Sequence, residues 1–309
     1  MSSDRLLSGV LAPVVTPFQR DLSPDGKRLL AHCRWLLELN CGLAVFGTNS
    51  EANSLSVEER IELLDLLLEA GLDPKRMMPG TGCCAFPDTV RLTSHAVAAG
   101  ASGVLMLPPF YYKGVSDEGL YRSFARVIDR VGDERLRVYL YHFPQMSAAP
   151  ISIDLVGRLR DAFPGIVVGM KDSSGDRAHL EAVLRAFPGF GMFAGNETLL
   201  LANMRAGGAG CISATANVNP EAIDRLFQGW QTEDAEALQA SLNDVRLAVQ
   251  QFPLVPALKK IVSHYASDPE WNRLRPPLVE LDEAEGKTLI SDLEKLDFEM
   301  PGLGRFAQP

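Results

Sequence analysis

From Gly9 to Gly229, short apolar runs alternate with longer stretches in which apolar residues recur every three or four positions. A short apolar run between turn formers fits a strand buried on both faces, and the 3.6-residue recurrence fits an amphipathic helix. Strands are expected over Gly9–Val15, Leu43–Gly47, Met77–Gly80, Gly103–Leu107, Arg137–Tyr141, Ile166–Lys171, Gly191–Ala194 and Gly210–Ser213. The intervening helices carry their own punctuation. Ser23-Pro24 opens the first, and Ser56-Val57-Glu58-Glu59 is a capping box for a helix that should stop at Gly71. Others are expected over Pro87–Ala99, Asp117–Val131, Ile153–Ala162, Asp176–Phe187 and Pro220–Gly229. This repeated βα alternation favours an α/β fold, a closed (β/α)8 TIM barrel, over an open doubly wound sheet. No G-x-G-x-x-G follows the first strand, which disfavours a dinucleotide fold.

After Gly229 the pattern becomes purely helical, with helices expected over Thr232–Gln251, Val255–Tyr265 and Glu283–Lys295 and a proline-rich connection at Arg275-Pro276-Pro277. The expected organisation is a catalytic barrel over residues 1–229 and a C-terminal helical appendage over 230–309. No internal repeat divides the chain further.

The 309 residues are 46% hydrophobic and 22% charged, which is ordinary for a globular protein. A net charge of −9 argues against nucleic acid or an anionic membrane as partner. An anionic substrate would have to be met by local cations or backbone N–H groups. The start, Met1-Ser2-Ser3-Asp4-Arg5, lacks a basic segment followed by a long apolar core, and no apolar run is long enough to span a bilayer. A cytoplasmic location is therefore expected. Cys33, Cys41, Cys83, Cys84 and Cys211 show no C-x-x-C spacing and read as buried reduced thiols. His32, His95, His179 and His264 fall in helical stretches without ligand spacing, so neither a metal nor any other cofactor is expected.

The chemistry-bearing positions lie where the strands end, as active-site residues do in such barrels. Lys171 closes the apolar run Ile166-Val167-Val168-Gly169-Met170 and precedes the turn Asp172-Ser173-Ser174-Gly175. A desolvated amine at such a place is a candidate Schiff-base nucleophile, although a strand-end lysine also snorkels to water or pairs with a carboxylate. Only eight lysines stand against twenty-two arginines, and no other lysine follows an apolar strand. Tyr141 ends the preceding strand before the proline-fixed turn at Pro144 and could place a phenol near that amine. It could equally serve packing. His142 should point the other way and is read as structural or as part of the pocket rim. The turn Gly47-Thr48-Asn49-Ser50-Glu51 offers hydroxyls and successive N–H groups suited to a carboxylate, or simply a polar loop. The aromatic segment Phe110-Tyr111-Tyr112 reads either as an interface or as packing beneath its own loop.

Taken together, Pro13-Val14-Val15-Thr16-Pro17-Phe18, Gly47-Thr48-x-x-Glu51, Tyr111-Tyr112, Tyr141-x-x-Pro144, Gly169-x-Lys171-Asp172-Ser173-Ser174-Gly175, Gly210-x-Ile212-Ser213-x-Thr215-Ala216-Asn217 and Arg275-Pro276-Pro277-Leu278 resemble the dihydrodipicolinate synthase and N-acetylneuraminate lyase superfamily of class I, pyruvate-dependent aldolases. The resemblance covers nearly the whole chain. It implies that Lys171 forms an imine with pyruvate or another 2-oxo acid and that Tyr141 transfers protons. It further implies that Thr48 links Tyr141 to Tyr112 of a neighbouring subunit. Thr48 and Asn49 would hold the substrate carboxylate through backbone N–H groups, and the Ile212 carbonyl would contact pyruvate. A homotetramer built as a dimer of dimers follows from the same resemblance.

The departures from the family pattern fall around the second substrate. Asn49 stands where a second threonine is usual, Ser50 where glycine is, and His142 where asparagine is. Met146 stands where dihydrodipicolinate synthases carry an arginine. The expected activity is cleavage or formation of a 4-hydroxy-2-oxo acid or a 2-keto-3-deoxy sugar acid from pyruvate and an aldehyde, with Met146 lining the aldehyde end. The alternatives are 4-hydroxy-tetrahydrodipicolinate synthase, acting on aspartate semialdehyde, and a dehydratase using the same imine. A non-catalytic carboxylate-binding barrel is a further alternative.

Overall fold

A computed structural model describes residues 6–305; the start read above for its lack of a targeting segment, Met1–Arg5, lies outside the described residues. The strands are β1 (Gly9–Ala12), β2 (Gly42–Leu43), β3 (Val104–Met106), β4 (Val138–His142), β5 (Val167–Asp172), β6 (Gly191–Ala194) and β7 (Gly210–Ile212). Every pairing between these strands that is described below is parallel, as βα alternation requires. The described residues group into two compact units, one of residues 6–9 and 73–212 and one of residues 10–72 and 213–305.

In the first unit β3 to β7 pair in sequence order: β4 with β3 and β5, β6 with β5 and β7. Met77–Gly80, expected as a full strand, is reduced to a single bridge between Gly80 and Leu105. Its backbone still donates and accepts there, because Leu105 N–H reaches Pro79 O at 2.9 Å and Thr81 N–H reaches Leu105 O at 3.0 Å. The helices Phe86–Ala98, Asp117–Val131, Ile153–Ala162 and Arg177–Ala186 lie within two residues of expectation. Two others, Pro144–Ser147 and Leu200–Arg205, were not expected, being too short to show a helical period.

Glycines set the packing below the end of β5. Tyr139 is fully buried, and its ring stacks edge-on against Phe193 at 5.7 Å. A Cβ on Gly169, the register partner of Tyr139, would lie 2.3 Å from the Tyr139 ring and 2.4 Å from Gly191 O. Only glycine lets the aromatic ring cross β5 two residues before Lys171.

In the second unit β1 pairs with β2, Leu11 opposite Gly42 and Ala12 opposite Leu43. β1 stops before the expected Val15 because Val15 N–H turns away to the Asn217 side-chain oxygen at 2.9 Å. The amide group of Asn217 donates to Pro13 O and Ala214 O, so this one side chain fixes two turns. Asp25 caps the helix Gly26–Glu38, and Ser56 and Glu59 form the expected capping box of Val57–Glu69. The later helices are Pro220–Gly229, Ala235–Val249, Leu254–Tyr265 and Glu283–Glu294. Leu254–Tyr265 packs against the turns Thr48–Ser50 and Ala214–Asn217.

None of the five cysteines is in a disulfide, but the expectation that they are all buried needs correction: Cys84 is exposed and Cys83 half-buried, in the loop before Phe86–Ala98. Among the described residues, no helix is long and apolar enough to cross a membrane.

Candidate active site

The β4–β5 register pairs Tyr141 with Lys171 and His142 with Asp172. Because side chains alternate across a sheet, the first pair shares one face and the second pair shares the other. Lys171 is 3% exposed, and its Nζ donates to Tyr141 Oη at 3.2 Å. The same Nζ lies 4.3 Å from the centre of the Tyr141 ring, which in turn stacks on Phe143. A buried amine in hydrogen-bond contact with a phenol supplies a nucleophile and a group that can carry its protons.

The turn after Lys171 is held from behind. Asp172 Oδ1 accepts from Ser174 N–H at 2.8 Å and from Ser174 Oγ at 2.6 Å, while Asp176 caps the next helix. Gly175 takes a left-handed φ of +75°, which the reversal requires. On this opposite face Asp172 Oδ2 meets His179 Nδ1 at 2.7 Å, and the His179 ring stacks on His142 at 4.5 Å. Asp172 raises the pKa of His179, whereas burial lowers that of His142. Although burial opposes it, hydrogen bonds from His179 and Ser174 leave Asp172 below the usual carboxylate range.

The sequence did not bring these three residues together, since His179 comes from a helix seven residues beyond the strand. Their donor atoms lie within 4.8 Å of one another, which is the spacing of a possible metal site. Their lone pairs are engaged, however. His142 Nδ1 accepts from Ile151 N–H at 3.0 Å, and both Asp172 oxygens hold protein donors. The arrangement fits a hydrogen-bond network better than a metal.

In the second unit, Thr48 and Asn49 are half-buried in the turn Thr48–Ser50. Ser50 N–H donates to Gly47 O, Ser50 Oγ accepts from Gly47 N–H at 3.2 Å, and Thr16 Oγ1 donates to Ser50 O at 2.7 Å. Glu51 leaves the turn with a left-handed φ of +54°, uncommon for a residue with a side chain. Its buried carboxylate is met by Lys259 Nζ and by Arg275 N–H at 3.2 Å. Lys259 is fully buried and also donates to Arg273 O at 2.8 Å. Burial pushes Glu51 up and Lys259 down to about 8, each opposed by the partner's charge. Arg275, the first residue of the Arg275-Pro276-Pro277-Leu278 motif, ties Leu22 O and Ser54 O to Glu59. Lys259 had no place in the sequence reading; the signal was a lysine inside the apolar stretch Leu254–Val262.

The remaining expected residues differ in exposure. Ile212 is buried at the end of β7. Met146 is 58% exposed on the short helix Pro144–Ser147. Tyr112 is 75% exposed in the single chain and makes an edge-on contact with Tyr111 at 5.4 Å.

The model of the dihydrodipicolinate synthetase family matches residues 6–296. A protein named as an uncharacterized DapA-like lyase of Chloroflexus aurantiacus is 32% identical over 291 residues, covering 93% of this chain and 96% of the relative. The crystal structure of dihydrodipicolinate synthase from Agrobacterium tumefaciens superposes with a TM-score of 0.87 at 32% identity, over 93% of this chain and 99% of that one. YagE of Escherichia coli K12, a prophage protein solved in complex with pyruvate, superposes with a TM-score of 0.86 at 28% identity, over 95% of this chain and 100% of its own. The chain therefore belongs to the dihydrodipicolinate synthetase family and is a lyase of that family built on a (β/α)8 barrel.

Proposed function

We propose that the protein is a pyruvate-dependent aldolase in which Lys171 forms a Schiff base with the keto carbon of pyruvate or another 2-oxo acid. The observation that carries the reading is the contact between Lys171 Nζ and Tyr141 Oη at 3.2 Å. The amine adds to the keto carbon and water leaves, giving a protonated imine. Loss of a proton from the adjacent methyl carbon gives an enamine, which adds to an aldehyde carbonyl as that oxygen gains a proton; hydrolysis then frees Lys171. In cleavage the same steps run backwards. Tyr141 carries the protons, and Thr48 links it to Tyr112 of a neighbouring subunit. The N–H groups of Thr48 and Asn49 hold the carboxylate, and the Ile212 carbonyl contacts the bound 2-oxo acid. The pyruvate held in the YagE crystals supports this choice of first substrate.

The second substrate is an uncharged aldehyde, so that the product class is 4-hydroxy-2-oxo acids or 2-keto-3-deoxy sugar acids. Met146, exposed beside Gln145 on its short helix, supports that choice because a thioether offers an apolar surface without charge. The second reading is condensation of pyruvate with aspartate semialdehyde, favoured by the likeness to the Agrobacterium synthase. Every residue with a proposed chemical role precedes Gly229, which supports dividing the chain into a catalytic part over 1–229 and a helical part over 230–309. The assembly is a homotetramer of paired dimers working in the cytoplasm.

The deciding experiment has two arms. Borohydride reduction in the presence of pyruvate, followed by peptide mass spectrometry, should place the adduct on Lys171; no adduct, or one on another lysine, refutes the imine. Product formation from pyruvate and a panel of aldehydes then ranks the second substrates.

A further inference from the structure

The network behind Lys171 has no part in the chemistry just described. Its geometry converges on one backbone position, Ile151. His142 Nδ1 accepts from Ile151 N–H at 3.0 Å, and the Ile151 backbone also favours the protonated form of His179. His142 belongs to β4 and Asp172 to β5, paired in register, while His179 sits on the helix after β5 and reaches back to Asp172 at 2.7 Å. The two imidazoles stack 20° apart at 4.5 Å, on the face of the strands opposite Tyr141 and Lys171. Residue 151 is thereby tied to the two strands whose neighbouring positions carry the proposed nucleophile and proton carrier. The segment between His142 and Ile151 is the one that carries Met146. Its interior has its own fastening, because Ser147 Oγ donates to Phe143 O and accepts from Ala149 N–H. At its far end the Ile151 N–H is held by His142.

We propose that the stacked pair His142–His179, anchored by Asp172, is a positioning clamp that fixes the segment 143–151 and so sets how the enzyme discriminates among aldehydes. The clamp rests on the aldolase reading for its consequence, but not for its existence. A neutral His142 is required, since its Nδ1 must keep a lone pair for Ile151 N–H, so the stack carries at most the one charge that His179 can take beside Asp172. The opposite pKa directions of the two rings agree with that division. Neither ring touches the face that carries Lys171, so imine formation does not depend on the clamp.

The test compares wild type, His142→Leu, His142→Asn and His179→Leu by hydrogen–deuterium exchange, borohydride trapping with pyruvate, and kcat/KM on two aldehydes of different size. Asparagine can present an amide oxygen near the Nδ1 position, so it should restore the bond to Ile151 without the stack. In His142→Leu the amides of residues 145–149 and 151 should exchange about tenfold faster, the scale of one lost hydrogen bond. The ratio of kcat/KM for the two aldehydes should move by about fivefold or more, pyruvate trapping should stay near wild type, and His142→Asn should fall between. A folded His142→Leu or His179→Leu with wild-type exchange and a wild-type ratio overturns the clamp. So does zinc that changes the activity of wild type but not of His142→Asn, because the three residues would then be ligands. If wild type fails to trap pyruvate, the aldolase reading falls, while the exchange arm still decides whether the segment is clamped.

Discussion

Lys171 and Tyr141 meet at 3.2 Å because they occupy the same step of two adjacent parallel strands and point to the same face. The contact is therefore a consequence of register, and a slip of one residue in either strand would send one of the two side chains to the opposite face. Lys171→Ala should abolish turnover and borohydride trapping while leaving far-ultraviolet circular dichroism unchanged. Tyr141→Phe should still be trapped by borohydride, but turn over about 10²–10⁴ times more slowly, the range for a lost proton-transfer group. Equal trapping and equal turnover in Tyr141→Phe would remove Tyr141 from the chemistry.

Lys259 and Glu51 form a buried ion pair that sits at the end of the Thr48–Ser50 turn. Lys259→Met keeps most of the side-chain volume but leaves the Glu51 carboxylate buried without its cation. The expected cost is about 3–5 kcal/mol in urea unfolding, with part of it recovered in Lys259→Met combined with Glu51→Gln. Because Glu51 holds the turn at a left-handed φ, the surviving activity of the double variant should show a raised KM for pyruvate more than a lowered kcat. A wild-type melting curve for Lys259→Met would show that the pair contributes nothing.

His32 gives a pH dependence whose sign can be worked out. It is buried between Trp35 and Trp271, and burial lowers its pKa from 6.5 to about 4, outweighing the opposing influence of Asn217. Below pH 6.5 the unfolded chain takes up a proton that the folded chain refuses. Stability contributed by neutral His32 is thus complete above about pH 6.5 and is lost progressively as the pH falls to about 4, by roughly 3 kcal/mol in all. His32→Phe should flatten that part of the profile, measured as the difference between unfolding free energies at pH 7 and pH 4. An unchanged difference would show that His32 does not carry it.

The parts of this structure that sequence displays are those with a local physical signature. The capping box of Ser56 and Glu59, the αL cap at Gly132 and the strand Gly191–Ala194 are all written in neighbouring residues. Gly169 was visible as part of a motif, but its reason was not, because the ring it makes room for belongs to Tyr139 in another strand. Lys259 with Glu51 are separated by 208 positions, and His142 with His179 meet only through strand pairing and a returning helix. Such pairs are created by topology. The third expected strand failed for a different reason: its hydrophobicity marks burial, while a ladder also needs N–H donors, and Pro79 has none.

Tyr112 is exposed in the single chain, as a residue destined for a neighbour's site would be. Tyr112→Phe and Lys171→Ala should each be inactive or nearly so. Mixed and allowed to exchange subunits, they should regain activity, since some hybrid sites would receive an intact Lys171 from one subunit and an intact Tyr112 from the other. Sedimentation should show an oligomer at working concentration. A fully active monomer would refute the shared site.

With Met146 lining the aldehyde end, as proposed, aspartate semialdehyde should be a poor second substrate. A guanidinium at this position could hold the distal carboxylate of that aldehyde by a charge-assisted, bidentate contact, which a thioether cannot make. His142 and Lys113 are the groups that could compensate. His142 is ruled out by its place on the face of β4 opposite Tyr141, where its Nδ1 is engaged by Ile151. Lys113 turns its Nζ back to its own loop, donating to Phe110 O. The missing charged hydrogen bond should cost about 1.5–3 kcal/mol, or roughly one to two powers of ten in kcat/KM. Met146 is 58% exposed, so Met146→Arg can be made without disturbing the core. The variant should gain on aspartate semialdehyde and lose little on glyceraldehyde, with pyruvate trapping at Lys171 unchanged. If wild type already prefers aspartate semialdehyde, and Met146→Arg does not improve it, the carboxylate is held elsewhere and the synthase reading replaces the aldolase of neutral aldehydes.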